Sequence, residues 1–239
     1  MKLRVAAISD IHGYLPIMED PADILLIAGD ISPLEIQFNK PKMKKWLLTE
    51  FAYWINSLPV DKVFLIPGNH DAYFEGITQS QKLELFRSWK YKVIYLKNEL
   101  AEYIDSNGLK WTIFGTPYCK VFGNWPFMRA PQILKEKFSE IPEKVDIMMS
   151  HDPPFAIGDA DVIFEAPRNI NIPPEHVGNI QLAEIAKNLN YKLWVSGHIH
   201  SGDHVFNEIY KIANVSYLDE SYNPRYPIFY KTIENDLDN

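Results

Sequence analysis

The sequence predicts a layered α/β fold with a chemical site along the carboxyl edge of its strands. Three observations carry that prediction. Apolar runs of strand length recur at 3–9, 24–28, 63–66, 145–149 and 192–195. Amphipathic stretches of helical period lie among them, and small or polar residues follow each run directly. Short apolar runs bounded by turn residues fit buried strands, and strands joined by helices rather than tight turns fit parallel crossovers.

The run 3–9 leads into Asp10-Ile11-His12-Gly13, and the run 24–28 into Gly29-Asp30. Residues 42–57 place Met43, Trp46, Leu47, Phe51, Trp54 and Ile55 at three-to-four spacing, which predicts one helix opened by Pro41 and limited by Pro59. The run 63–66 ends at Pro67 and Gly68, releasing Asn69, His70 and Asp71 at the sheet edge where open α/β folds bind ligands. A second amphipathic helix over 80–90 leads to a strand at 93–96.

Strands at 100–104 and 110–114 flank Asp105-Ser106-Asn107-Gly108, and Asn-Gly is a strong hairpin signal. From that hairpin onward the sheet is predicted to be antiparallel. Residues 116–130 form a loop rich in aromatics (Tyr118, Phe122, Trp125, Phe127) with Arg129 at its end, and Pro131 opens a helix over 131–139. The run 145–149 ends in Ser150-His151-Asp152-Pro153-Pro154. Residues 155–174, with Asp159, Asp161 and Arg168, are too long for a mere connection and are expected to be functional or mobile. A helix over 177–189 and a strand over 192–195 lead to Ser196-Gly197-His198-Ile199-His200. Strands at 210–215 and 227–233 finish the fold, and the acidic stretch 234–239 is expected to fray. No internal repeat or linker divides the chain, so one domain is expected over 1–239.

Composition narrows the classes. With 46 % hydrophobic residues among 239, the chain can bury a substantial core. A net charge of −7 and a pI near 5.5 argue against a dedicated nucleic-acid surface. The basic run from Lys40 to Lys45 fits the solvated face of its predicted helix. Cys119 is the single cysteine, which excludes an internal disulfide and a Cys-rich zinc site and fits a reducing compartment. No run of about 18 apolar residues occurs, and the short run before Asp10 does not read as a signal peptide. The expectation is a cytoplasmic protein with no membrane partner. Its aromatic content leaves room for a homodimer face.

Asp10, His12, Asp30, Asn69, His70, His151, His198 and His200 all follow strand runs. Extended residues at i and i+2 share a side. Asp10 with His12, and His198 with His200, can therefore point into one crevice while Ile11 and Ile199 face the core. Imidazoles, carboxylates and one amide oxygen suit borderline divalent ions such as manganese, iron or zinc. There are more donors than one ion can use, and two ions sharing a carboxylate would use them well.

The series Asp10-x-His12, Gly29-Asp30, Gly68-Asn69-His70-Asp71, His151 and Gly197-His198-x-His200 resembles the calcineurin-like metallophosphoesterase superfamily. The resemblance covers residues 10–200 and lacks no expected ligand. It implies two facing mixed sheets flanked by helices. It also implies two divalent metal ions, one held by Asp10, His12, Asp30 and His200, the other by Asp30, Asn69, His151 and His198, with Asp30 bridging. His70 would stabilise the phosphoryl charge or protonate the leaving oxygen, and Asp71 would orient its ring. The superfamily often has glutamate where this chain has Asp71. His151-Asp152-Pro153-Pro154, Gly158-Asp159, the helix from Gly178, Asn214-Val215-Ser216, Thr116-Pro117-Tyr118 and Asn124-Trp125 are similar to the small metallophosphodiesterase branch related to the MPPED proteins. Like the related class III cyclic-nucleotide phosphodiesterases, that branch hydrolyses phosphodiesters.

The resemblance thus implies a phosphodiesterase acting on a small phosphodiester or nucleotide, by in-line attack of a hydroxide held between the metals. Its rivals are a phosphomonoesterase or protein phosphatase, then a nuclease or a non-catalytic binding module. Among the remaining residues, Tyr118, Trp125 and Phe127 either pack their loop or stack on a substrate ring. Arg129 and Arg168 are candidates to meet a phosphate or ribose. His204 reads as a surface residue, His176 as a helix-entry residue and Cys119 as a bystander.

Overall fold

Strand β1 (Lys2–Ile8) alternates from residue 3 onward: Leu3, Val5 and Ala7 join one apolar cluster, Ala6 and Ile8 another. A strand buried on both faces needs cover on both sides. The structure, a computed structural model, describes residues 2–163, 175–202 and 204–235. After β1 come β2 (Ile24–Ile27), α1 (Lys40–Leu48), α2 (Glu50–Ser57) and β3 (Lys62–Leu65). Next are α3 (Ala72–Glu75), α4 (Gln79–Ser88), β4 (Val93–Tyr95), β5 (Glu99–Ile104) and β6 (Lys110–Thr116). Then follow β7 (Cys119–Lys120), β8 (Met128–Arg129), α5 (Pro131–Phe138), β9 (Ile147–Ser150), β10 (Val162–Ile163) and β11 (Glu175–His176). The chain closes with α6 (Ile180–Ala186), β12 (Leu193–Ser196), β13 (Ile212–Asn214) and β14 (Phe229–Glu234).

Two five-stranded sheets face each other, in the orders β14-β1-β2-β3-β4 and β13-β12-β9-β6-β5. Leu3, Ile24, Phe64, Trp111, Ile147 and Val195 belong to the cluster between them. The alternate residues, among them Leu25, Met148 and Trp194, join Met43, Phe51, Leu134 and Leu182 from the helices in the outer cluster. The predicted mixed α/β sandwich is therefore present.

Three local expectations are corrected. The helix predicted over 42–57 is two, because Thr49 (φ −116°, ψ −82°) leaves the helical region and its hydroxyl donates to the Lys45 carbonyl at 2.8 Å. Trp46 and Phe51 still pack ring to ring across the break, with centroids 5.2 Å apart. The second sheet is mainly parallel, not antiparallel. Only β5 and β6 pair antiparallel, around the Asn-Gly turn, while β6, β9, β12 and β13 run parallel. Helices α5 and α6 supply the crossovers from β6 to β9 and from β9 to β12, and an irregular stretch leads from β12 to β13. Finally, His176 lies in β11 opposite Val162 rather than at a helix entry, and α6 starts later, capped by Asn179 Oδ1 on the Leu182 N–H at 3.2 Å.

Candidate metal centre

The strands β1, β2 and β3 are neighbours in one sheet, and β9 and β12 are neighbours in the other. Their carboxyl ends therefore converge, bringing together all seven sequence-predicted ligands. Asp10, His12, Asp30 and His198 have φ of 52°, 40°, 53° and 70°, a left-handed conformation that non-glycine residues seldom adopt. Backbone bonds hold these turns: Asp10 N–H donates to Gly29 O at 3.0 Å, and His12 N–H to Asp30 O at 3.0 Å.

Each carboxylate divides its oxygens between two tasks. Asp10 Oδ2 accepts from the His198 N–H at 2.9 Å and from Ser216 Oγ at 2.8 Å. Asp30 Oδ1 accepts from the His70 N–H at 2.7 Å. The second oxygens face imidazoles: Asp10 Oδ1 is 3.4 Å from His200 Nε2, and Asp30 Oδ2 is 3.3 Å from His151 Nε2 and 3.9 Å from His12 Nε2. Asn69 is buried with Oδ1 3.0 Å from His151 Nε2. The ring tautomers are set from behind, because His151 Nδ1 donates to Ala28 O at 2.8 Å and His200 Nδ1 to Asp219 O at 3.0 Å. Such backing leaves Nε2 free to bind a metal.

The donors fit a pair of ions. Asp10, His12 and His200 form one triad, Asp30, His151 and His198 another, and His12, Asp30 and His70 a third, each with ligand atoms within 4.8 Å of one another. Asp30 thus belongs to two triads. Both ring nitrogens of His12 and the Oδ1 of Asp10 are buried without a hydrogen-bond partner, and buried polar atoms seldom stay unpaired. Gly29 (φ 102°) and Gly68 keep the space clear. A Cβ on Gly29 would stand 2.5 Å from His151 Nδ1, and one on Gly68 would strike Asp30 Oδ1 and the His151 ring.

Charge follows the same geometry in the metal-free protein. Burial opposes the imidazolium of His151, yet the Asp30 carboxylate beside it prevails and raises its pKa to about 10. Burial is likewise overcome at His200, which Asp10 raises to about 9. Burial prevails at His12 and His198, lowering them to about 4 and about 3. Burial pushes Asp30 and Asp10 upward, but the facing histidines hold both below the usual carboxylate range.

His70 and Asp71 are adjacent in sequence but serve different places. The expected support of the His70 ring by Asp71 is corrected: the Asp71 carboxylate is fully buried and accepts from the N–H groups of Gly68 (2.8 Å), Ile31 (3.1 Å) and Ser32 (3.0 Å), and from Ser32 Oγ (2.6 Å). It ties the turn after β3 to the turn after β2. The contact to His70 Nδ1 comes from Gln37 Oε1, at 2.8 Å. Gln37 does not stand out in the sequence, and Ser216 is marked there only as part of the Asn214-Val215-Ser216 match.

A cavity of about 620 Å³ opens over Asp30, Asn69, His70, His198 and His200. Phe122, Trp125 and Tyr222 line it, with Trp125 4.5 Å from the His70 ring, Phe122 5.2 Å from His198 and Tyr222 5.1 Å from His12. Tyr118 and Phe127 are buried instead, and Arg129 pairs with Glu75 at 3.1 Å. His204 stacks on Tyr226, His176 bonds Asp161 at 2.8 Å, and Cys119 is buried. Arg168 lies outside the described residues.

Facing sheets whose strand ends gather carboxylates and imidazoles in this way define a protein with a candidate metal-binding site at its sheet edges. The family model for calcineurin-like phosphoesterase matches residues 3–202. The chain belongs to that family, whose chemistry is metal-dependent phosphoester hydrolysis. Metallophosphoesterase domain-containing protein 1 of Homo sapiens is 29 % identical over 217 residues, covering 83 % of this chain and 61 % of that protein. The same protein of Mus musculus matches to the same extent. A probable rhamnogalacturonate lyase C of Emericella nidulans is 29 % identical over 204 residues, 84 % of this chain but only 17 % of that protein. The chain spans less than two thirds of the length of these relatives. One solved structure, at 17 % identity, overlays 98 % of this chain and all of its own with a TM-score of 0.66. Among the described residues no helix is long and apolar enough to cross a membrane.

Proposed function

We propose that the protein is a dinuclear metal-dependent phosphodiesterase acting on small phosphodiesters, nucleotides included. The observation that carries the reading is that Asp30, a member of the Asp30–His151–His198 triad, also stands 3.9 Å from His12 of the Asp10–His12–His200 triad. On this reading Asp10, His12, Asp30 and His200 hold one divalent ion, and Asp30, Asn69, His151 and His198 hold the other. The mixed donor set suits manganese, iron or zinc. Two such ions, when bound, activate a water and neutralise charge on the phosphoryl oxygens.

The protein's own groups do the rest. Ala28 and Asp219 carbonyls keep the Nε2 atoms of His151 and His200 turned inward. Asn69 adds a neutral donor, so the site gains no further negative charge against an anionic substrate. His70 presents its ring to the leaving oxygen and gives it a hydrogen bond or a proton. A cavity of about 620 Å³ is of small-ligand size. Phe122, Trp125 and Tyr222 supply flat faces for an aryl or nucleobase substituent. The net charge of −7 supports a small substrate over a nucleic-acid polymer. The lone Cys119 supports a cytoplasmic setting.

The test is divalent-metal analysis alongside hydrolysis of a bis-aryl phosphodiester and the matching monoester. The reading expects metal-dependent turnover with the diester preferred. Inactivity with manganese, iron and zinc, or a strong monoester preference, would overturn it.

A further inference from the structure

Gln37 lies in the irregular stretch between β2 and α1 and is only 8 % exposed. Its Nε2 donates to the Leu34 carbonyl at 3.1 Å, which turns the amide oxygen the other way, onto His70 Nδ1 at 2.8 Å. An amide oxygen only accepts, so the hydrogen in that contact belongs to Nδ1. Nε2 is then the ring nitrogen left for the cavity that His70 lines. Trp125 covers the ring at 4.5 Å, and His12 meets it edge-on at 4.9 Å.

We infer that Gln37 is the positioning residue of His70, holding a hydrogen on Nδ1 so that Nε2 is the nitrogen that carries a proton to the leaving oxygen. The inference rests on the reading of His70 given above. A carboxylate in this place would hold the ring as well, but it would add negative charge to a site that already contains Asp10 and Asp30 and repel an anionic diester. The neutral amide orients without that repulsion. As the P–O bond to the leaving group breaks, its electron pair passes to the leaving oxygen, which takes the proton from Nε2 of the imidazolium. His70 is left neutral, with its remaining hydrogen on Nδ1 and still bonded to Gln37.

The experiment compares Gln37→Leu, Gln37→Glu and His70→Ala with the unaltered protein, each metal-loaded and checked for bound metal and thermal midpoint. Substrates are p-nitrophenyl and phenyl esters of the same phosphodiester. Gln37→Leu is expected to keep its metal, lower kcat about 10- to 100-fold at little changed KM, and lose more on the poorer phenolate leaving group. Gln37→Glu should restore the leaving-group dependence. Long-range nitrogen–proton spectra of the zinc-loaded protein should show His70 Nδ1 protonated at every pH, with Nε2 alone gaining or losing its proton, whereas the neutral ring in Gln37→Leu should mix Nδ1–H and Nε2–H forms. An unchanged kcat on both esters in Gln37→Leu, or metal loss equal to its activity loss, overturns the inference. Full activity or metal loss in His70→Ala instead overturns the reading of His70 itself.

Discussion

Asp30 leaves one sheet at the end of β2 and His151 leaves the other at the end of β9, and they meet with Oδ2 and Nε2 3.3 Å apart. This pair joins the groups that the two sheets contribute to the candidate centre. Asp30→Asn keeps the shape but removes the shared charge. Both ions should be lost together, with metal content below one per chain and diester hydrolysis down by at least about 100-fold. Elemental analysis of the purified variant checks this; retention of one ion at full occupancy would show that Asp30 does not bridge.

Gly68→Ala tests the closeness of the two strand ends. The added Cβ would strike Asp30 Oδ1 and come within 2.6 Å of His151 Nε2. Metal affinity should fall about 10- to 100-fold. Gly76→Ala, where the nearest atom is Lys40 Nζ at 3.9 Å, should leave affinity unchanged. Titration with zinc against a chelator reads both.

Asp71→Asn separates a buttress from a catalytic group. The carboxylate accepts four bonds across two turns, and an amide must turn its NH₂ toward at least one donor. Stability should fall by about 1–3 kcal/mol, read by denaturant unfolding, while kcat per bound metal stays near that of the unaltered protein. A selective loss of kcat with stability intact would return Asp71 to the chemistry.

Metal uptake and metal-free stability should respond to pH in opposite senses. His151 and His200 have folded pKa values raised to about 10 and about 9. Their paired charge stabilises the metal-free fold fully below the ordinary histidine value near 6.5, and that stabilisation is lost as pH rises through 9 to 10. Metal ligation needs both rings deprotonated, so affinity should climb over the same interval. Thermal midpoints of metal-free and zinc-loaded protein between pH 6 and pH 9 check the divergence, and parallel curves would contradict it.

The ligands were legible because each sits beside a turn immediately after an apolar run, a position that sequence alone locates. The facing of the two sheets brings those positions together without further information. Gln37 was not legible: it stands in an irregular stretch where no period or motif marks it, and only tertiary packing delivers it to His70. Asp71 misled because the resemblance implies that it supports the His70 ring, while the turn before α3 directs its carboxylate back to Gly68. The Asn-Gly signal describes one strand pair only, and the rest of that sheet takes its direction from α5 and α6. Thr49 lies within an unbroken apolar stripe, so the stripe shows one face and hides the break.

The most direct measurement is hydrolysis of a bis-aryl phosphodiester as manganese is added stepwise to metal-free protein. Turnover should rise to a plateau at about two equivalents of metal and exceed that on the matching monoester. No turnover at any metal ratio, or a plateau at one equivalent, would contradict a dinuclear phosphodiesterase.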